Sequence, residues 1–514
     1  MKLLMVYPNK VMVVRAPLGL GYIASYLKQS GHEMKLFDTT FMKCSDTLGD
    51  DELRAKLLQV ENPDILNYNV QVNNVFDELE KNINEYEPDI IGVSVVDPNY
   101  NFGLEIMRHC KKMFSNIPII VGGPLTSFIP DEIIKEDCVD AIGIGECENA
   151  IVNFCNKLES GGWDNTFDVE NFWVKDKNNI IHKNKSMLFD SEFCIAPSLD
   201  IYDERHFSRP MAGKMYKMAS VIWTRGCIFN CSYCANDNLR KLTNKNPVEY
   251  YRISNVNKFI MDLKVIKEKY KLEFIMFVDD IWPLHKPELV REFCDLYKKH
   301  INLPFHINVH CKIVKEESFE MAVDAGLRNI SIGVESGNSY IRKNILNRSY
   351  TNEDLQKVFN LAHKYKIRSS SFNIIGLPEE TRENIMETIE LNRKLNPDSA
   401  TVTIFHPYRG CSLREKCIKM GYIDNKDNKY EEVYRSESLL NMPQLSKEEI
   451  INLLNSFQLY LKLPKDMYET IKKQENDTPE SLDIRNNIVL PIFNKIRQQE
   501  SKWDFNKKEN WWTL

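Results

Sequence analysis

Short apolar runs alternate along this chain with longer stretches whose apolar residues return every three or four positions. The first pattern reads as buried strand and the second as amphipathic helix. Over residues 1 to about 155 the runs fall at Lys2–Pro8, Met34–Asp38, Asp89–Asp97, Pro118–Pro124 and Ala141–Glu146. Helical stretches near Leu18–Gly31 and Asn74–Tyr86 separate them, and another follows Asp97. The continuous run DIIGVSVVD suits a parallel strand buried on both faces. The alternation predicts an α/β unit, a Rossmann-like doubly wound parallel sheet. Ligands of such sheets lie beyond the carboxyl ends of the strands. Gly122-Gly123-Pro124 and Gly143-Ile144-Gly145-Glu146 stand at those ends. Glycine there admits a ligand to the backbone, and it equally serves plain turn chemistry.

Residues 156–213 are less periodic. WVKDKNNIIHKNK resembles a hairpin, Pro and Asp breaks follow, and the segment reads as a connector between domains. From 214 to 420 a second series runs through SVIWTRG, Glu273–Asp280, Phe305–Cys311, Asn329–Ser336, Ser369–Pro378 and Ser399–Tyr408. Helical stretches such as Glu288–Lys299 and Asn352–Tyr365 separate these runs. Six such units predict a partial (β/α)6 barrel with its chemistry at the carboxyl rim of the strands. Residues 421–514 read as mostly helical, with good helical spacing over Leu445–Lys462.

Composition narrows the class. The 514 residues suggest three or so domains, and 43% hydrophobic with 27% charged residues is an ordinary globular balance. A net charge of −6 and a pI near 6.0 argue against nucleic acid as the main partner. There is no cleavage signature and no uncharged run of about 18 apolar residues, so no membrane span and a cytoplasmic protein are expected. Thirteen cysteines at irregular spacing do not make a disulfide framework. Cys138, Cys147, Cys155 and Cys194 read as ordinary core or loop thiols, Cys411 as a buried one, and Trp511-Trp512 as packing residues.

The exception is TRGCIFNCSYCAND, where Cys227, Cys231 and Cys234 stand at a C-x3-C-x2-C spacing just after a strand. A structural zinc site takes four ligands, usually from two paired knuckles, and no second C-x2-C exists here. A four-iron cluster on three thiolates leaves one iron open to a substrate or cofactor.

The triplet, with Tyr233 before its third cysteine, resembles the signature of the radical S-adenosylmethionine (SAM) superfamily. Phe277–Asp280 (FVDD), Gly333–Gly337 (GVESG), Phe372–Thr381 (FNIIGLPEET) and His406–Leu413 (HPYRGCSL) resemble further segments of that family. Two departures stand out: Phe372 replaces a glycine, and Cys411 a threonine. PLGLGYIASYLKQSGHEMKLFD, DIIGVSV, VGGP and GIGECE are similar to the cobalamin-binding-type domain that precedes many such barrels. The resemblance covers roughly residues 1–420. It divides the chain into a cobalamin-binding domain (1–155), a connector (156–213), a radical SAM barrel (214–420) and a helical C-terminal domain (421–514).

The resemblance implies a 4Fe–4S cluster on the three cysteines, SAM chelated at the open iron, and a 5′-deoxyadenosyl radical that abstracts hydrogen. Asp279 or Asp280 would accept from the methionyl amine, and Lys312 would pair with the carboxylate. Glu335 and Ser336 would face the ribose and methionine, with Tyr233, Asn373 and Ile374 near the adenine. The acids have a plainer role open to them, as caps of the next helix. Cobalamin would lie along Ser94, Gly122 and Gly123, with Gly143 and Glu146 close by and Asp97–Tyr100 facing the lower side of the corrin. The Asp-x-His-x-x-Gly motif is absent, so no histidine is expected below the cobalt. The implied activity is methylation of an unactivated carbon of a small molecule, fed by a low-potential electron donor such as flavodoxin or ferredoxin. A rearrangement or cyclisation, with or without working cobalamin, is one alternative, and a non-catalytic iron–sulfur module is another. A methylthiotransferase would need three further cysteines in the first loops, which are missing.

Overall fold

A computed structural model of the protein describes residues 1–10, 12–44, 48–60, 62–66, 68–190, 196–424, 435–476, 478–498 and 505. Cys194 and Trp511-Trp512 lie outside the described residues.

The first sheet is built from β1 (Lys2–Tyr7), β2 (Glu33–Asp38), β3 (Ile90–Ser94), β4 (Ile119–Gly122), β5 (Ala141–Gly143), β6 (Phe172–Lys175) and β7 (Ile181–Lys183). Its order is β2-β1-β3-β4-β5-β6-β7, the first five parallel and the last two antiparallel. Leu3, Leu4, Met5 and Val6 of β1 are all buried, because helices cover both faces of this central strand. The stretch expected as a connector does more than cross between units. Its hairpin, β6 and β7, extends the first sheet, and Phe172 and Val174 are buried while Trp173 and Lys175 are half-buried, the two-residue period of a strand.

The second sheet takes β8 (Ser208–Met211), β9 (Lys214–Val221), β12 (Phe274–Phe277), β13 (Phe305–Val309), β14 (Leu327–Glu335), β15 (Arg368–Ile375) and β16 (Ser399–Ile404). The short ribbon β10 (Thr224–Arg225) and β11 (Arg252–Ile253) stands apart. The order β16-β15-β14-β13-β12-β9-β8 is that of a barrel left open, six strands parallel and β8 antiparallel. An open edge needs cover. Two side-chain amides supply it on β16: Gln59 donates to the Val402 carbonyl (3.0 Å) and Gln458 to that of Ala400 (2.7 Å). Gln458 belongs to the C-terminal helix Lys447–Lys462, whose terminal carbonyls at Tyr460, Leu461 and Leu463 accept from Arg393.

Behind the carboxyl end of β9 lies an aromatic cluster. The helix Pro287–His300 buries Val290, Phe293 and Tyr297 at helical spacing. Phe293 stacks on Trp223 at 4.4 Å and meets Trp282 edge-on at 5.4 Å. This rigid wall fixes where the chain leaves β9 and enters the cysteine loop.

Candidate active site

Asp279 holds that exit. Its Oδ1 accepts from the backbone N–H groups of Trp223 (3.1 Å) and Thr224 (2.5 Å), while Oδ2 is buried without a hydrogen-bond partner. Burial pushes its carboxyl up to about 7. Gly226 follows with φ +81°, and a Cβ there would stand 2.5 Å from the Tyr250 carbonyl of the β10–β11 ribbon. The cysteine loop is then fastened on three sides. Ser232 N–H donates to the Leu346 carbonyl (3.1 Å), and Leu413 N–H donates to that of Ser232 (2.9 Å). Asn347 donates to the Asn230 carbonyl (2.7 Å), and Phe229 stacks on His310 at 3.6 Å, just beyond β13.

Cys231 is buried, and Cys227 and Cys234 are half-buried. Burial pushes Cys227 up to about 12 and Cys231 up to about 11, and each feels the charge of the other two thiols. Such thiols ionise only against a cationic group, and iron is one. Three sulfur donors on one braced loop fit a cluster held at three corners. Among the described residues no three His, Cys, Asp or Glu side chains converge as on a single metal ion.

The acid pair divides its work. Asp279 is buried and tied to the backbone, whereas Asp280 is exposed beside Asn236 and near Cys227, so Asp280 is the carboxylate within reach of a ligand amine. Glu335 closes β14 at φ +59° after a shift of register, a conformation rare for a non-glycine residue. Its Oε1 lies 3.0 Å from Nη1 of Arg348, which also donates to the Tyr233 hydroxyl at 2.6 Å. Glu335 and Arg348 are buried. Arg348 escaped the sequence reading: thirteen residues beyond Glu335, in no periodic run, it carries no local signal. Gly333 makes room for the pair, since a Cβ there would fall 2.3 Å from Glu335 Oε1.

The remaining expected residues sit as follows. Lys312 is exposed on the rim with Nζ 3.4 Å from the Ser349 hydroxyl. Ser336 is buried; its carbonyl accepts from Arg342, and its hydroxyl accepts from Asn338 N–H. Asn373 turns its side chain outward, to Ser371, to the Thr401 carbonyl and to Asn392 of the helix Arg382–Leu395. Ile374, one residue on, falls on the opposite face with Ser370 and Phe372.

On the first sheet, Ser94 ends β3 opposite Gly122. A Cβ at Gly122 would meet nothing within 4 Å, while Gly123, at φ +100°, lies so close to Val95 that a Cβ would come 2.4 Å from its carbonyl oxygen. That pair is an open glycine floor at the carboxyl edge of the sheet, a cradle that fits a cofactor there. Gly143 packs tightly, and a Cβ would stand 3.0 Å from Cys147 Sγ. Asp97 and Glu146, expected beside a corrin, give their carboxylates to arginines of the other unit. Asp97 takes Arg409 through Nε (3.1 Å), Nη2 (2.8 Å) and the backbone N–H (3.2 Å). Glu146 takes Arg252 through both terminal nitrogens (2.8 and 2.7 Å), with Arg225 at 3.5 Å. Next to Arg409, a Cβ on Gly410 would press on Asn238 and Phe128. Cys411 is buried, and the charges of Cys234 and Asp97 both reach it. The carboxyl edge of the first sheet thus faces the cysteine loop across one closed seam.

Residues 221–391 match the family model of the radical SAM superfamily, and residues 9–154 that of the B12 binding domain. An uncharacterized methyltransferase of Pyrococcus horikoshii is 23% identical over 91% of this chain and 95% of its own. The anaerobic magnesium-protoporphyrin IX monomethyl ester cyclase of Rubrivivax gelatinosus is 22% identical over 79% of this chain and 68% of its own. The fold is shared with the radical SAM methyltransferase TsrM of Kitasatospora setae, solved with cobalamin and a 4Fe–4S cluster: TM-score 0.60, 15% identity, 82% of this chain and 75% of that one. Among the described residues no helix is long and apolar enough to cross a membrane.

Proposed function

With a radical SAM domain as its barrel and a B12 binding domain ahead of it, we propose that this chain is a cobalamin-dependent radical SAM methyltransferase acting on an unactivated carbon of a small molecule. The observation that carries the reading is the closed seam. Asp97–Arg409 and Glu146–Arg252 bind the carboxyl edge of the first sheet against the barrel rim that bears the cysteines.

Cys227, Cys231 and Cys234 would hold the cluster, and the Gly122–Gly123 floor the corrinoid. When bound, the cluster supplies one low-potential electron to SAM, and the corrinoid carries the methyl group destined for carbon. Asp280 accepts from the ammonium of SAM. Glu335, its charge balanced by Arg348, accepts from the ribose hydroxyls, and Tyr233 and Ile374 border the adenine. Lys312 lies on the same rim for the carboxylate. The buried Asp97–Arg409 pair closes the seam against water, which a reactive radical requires. A cytoplasmic setting, an external donor such as flavodoxin or ferredoxin, and no nucleic-acid partner complete the proposal. The net charge of −6 supports the last.

The test is anaerobic reconstitution with iron, sulfide and hydroxocobalamin, then SAM carrying a labelled methyl group with dithionite. The reading requires 5′-deoxyadenosine, a corrinoid absorption band and label in a product. Absence of 5′-deoxyadenosine sinks it. The similarity to the cyclase favours ring formation as the second reading, which the same assay would report as 5′-deoxyadenosine without label transfer.

A further inference from the structure

The inside of a closed parallel barrel is normally packed with branched apolar side chains. Here the inward positions include His306, Asn308, Asn329, Ser331, Ser370 and Thr401, and they line a cavity of about 320 Å³. Arg368 of β15 joins them, held by Asn329 and Ser370 at 3.1 Å each. The open side is closed by Arg209 of β8 and by Arg15 and Arg54 of the first unit. Four arginines therefore line this space, and no Asp or Glu does.

The nearest acids do not neutralise it. Asp51 is committed to Arg54 (3.1 Å) and to the Tyr68 hydroxyl (2.9 Å). Among the described residues no carboxylate stands within ion-pair distance of Arg15 or Arg209. Arg209 donates only to the Val14 carbonyl. Burial and the charge of Arg15 together lower Arg209 to about 10. His306 is kept neutral by burial, and both Arg15 and Arg368 push the same way. Like charges so placed repel, and a protein keeps them together at a cost unless an anion joins them.

The cavity also leads to the reaction site. Its upper wall contains Val278, next to Asp279, and Asn308, which donates to the Asp279 carbonyl (3.1 Å). Phe372, 40% exposed into this space, lies two residues below Ile374. Four residues of strand separate Ser331 from Glu335, and strands rise about 3.3 Å per residue, so roughly 13 Å lies between the cationic floor and the rim.

On the reading of the protein as a radical SAM enzyme, we propose that its substrate carries an anionic oxygen group, a carboxylate, phosphonate or phosphate, which docks on Arg15, Arg209 and Arg368. The bidentate forks of arginine suit such groups. The reacting carbon then lies on the order of 10 Å from the anion, at the rim.

The test titrates inorganic pyrophosphate into the reconstituted full-length protein by calorimetry, with and without hydroxocobalamin. Wild type should bind it saturably in both cases, and Arg15→Met or Arg209→Met should weaken binding at least tenfold. Arg209→Lys should retain part of it. Without anion the two Met variants should melt no lower than wild type, because one of two like charges is gone, yet lose the rise in melting temperature that pyrophosphate brings. A variant that merely misfolds would not behave so. Neither arginine touches the SAM residues, so 5′-deoxyadenosine formation should stay within twofold. Failure of that formation in wild type would sink the radical reading, whatever the anion does. No binding to wild type, or equal binding to the variants, overturns the pocket. So does loss of cobalamin but not of phosphate-free cobinamide, which would assign the arginines to the tail of the cofactor.

Discussion

The seam between the two units rests on one buried ion pair, and it can be measured. The side chains of Arg409 and Asp97 are 8% and 9% exposed, and three hydrogen bonds join the residues. Burial lowers Arg409 to about 10 even with Asp97 beside it, so desolvation is a real cost here. Arg409→Met leaves the Asp97 carboxylate buried with only a backbone N–H, and the expected loss is about 3–5 kcal/mol. Asp97→Asn should cost less, about 1–3 kcal/mol, because Glu132 still lies 3.6 Å from Arg409 and an amide oxygen can keep one hydrogen bond. The double variant removes both charges, so it should sit near the milder single and not at the sum. The cycle then yields a coupling of about 2 kcal/mol or more. Equilibrium urea titration of the full chain, followed by circular dichroism and by tryptophan fluorescence, measures it, provided the two probes coincide. Additivity within about 0.5 kcal/mol, or an Arg409→Met loss below about 1 kcal/mol, would show that the seam is wet and refute the closed-site argument.

Four further outcomes follow from the same geometry. Replacing any of Cys227, Cys231 or Cys234 by Ala should abolish cluster absorbance and 5′-deoxyadenosine formation; retained cleavage of SAM would refute the ligand assignment. Gly333→Ala should drive Glu335 from Arg348 and weaken SAM binding about tenfold or more, with cluster absorbance intact, as equilibrium dialysis would show. Gly123→Ala, at φ +100° against the Val95 carbonyl, should lower stability by about 1–3 kcal/mol and reduce retained corrinoid on gel filtration. Glu380 is fully buried, accepts from Leu377 N–H (3.0 Å), and is raised to about 8 by burial. The native state therefore holds its proton more tightly than the unfolded chain. Stability should fall as pH rises from about 4.5 to 8, by up to about 1.4 kcal/mol per unit, and Glu380→Gln should flatten that slope in urea titrations.

Strand and helix order was legible because burial repeats locally. The period of two in β6 and the i, i+3, i+7 spacing of Val290, Phe293 and Tyr297 are written in a few consecutive residues. The cysteine triplet is equally local, and so are the glycines at the ends of β4 and β5. What a side chain faces across the fold is not local. Asp97 reaches Arg409 over 312 residues, and Glu146 reaches Arg252 over 106, so acids that resemble ligand residues in the sequence become the clasp of the seam.

The sequence by itself therefore determined two α/β units, their strand order, and a loop of three thiols at the barrel rim, since each follows from periodicity or spacing within one segment. Only the tertiary structure decided that Asn373 turns outward and Phe372 inward, because alternation names two faces and packing on Asn392 chooses between them. It also brought Arg348 to Glu335, and it gathered Arg15, Arg54, Arg209 and Arg368 from distant segments around one cavity. Charges assemble into a site through packing of remote elements, and no pattern along the chain records that packing.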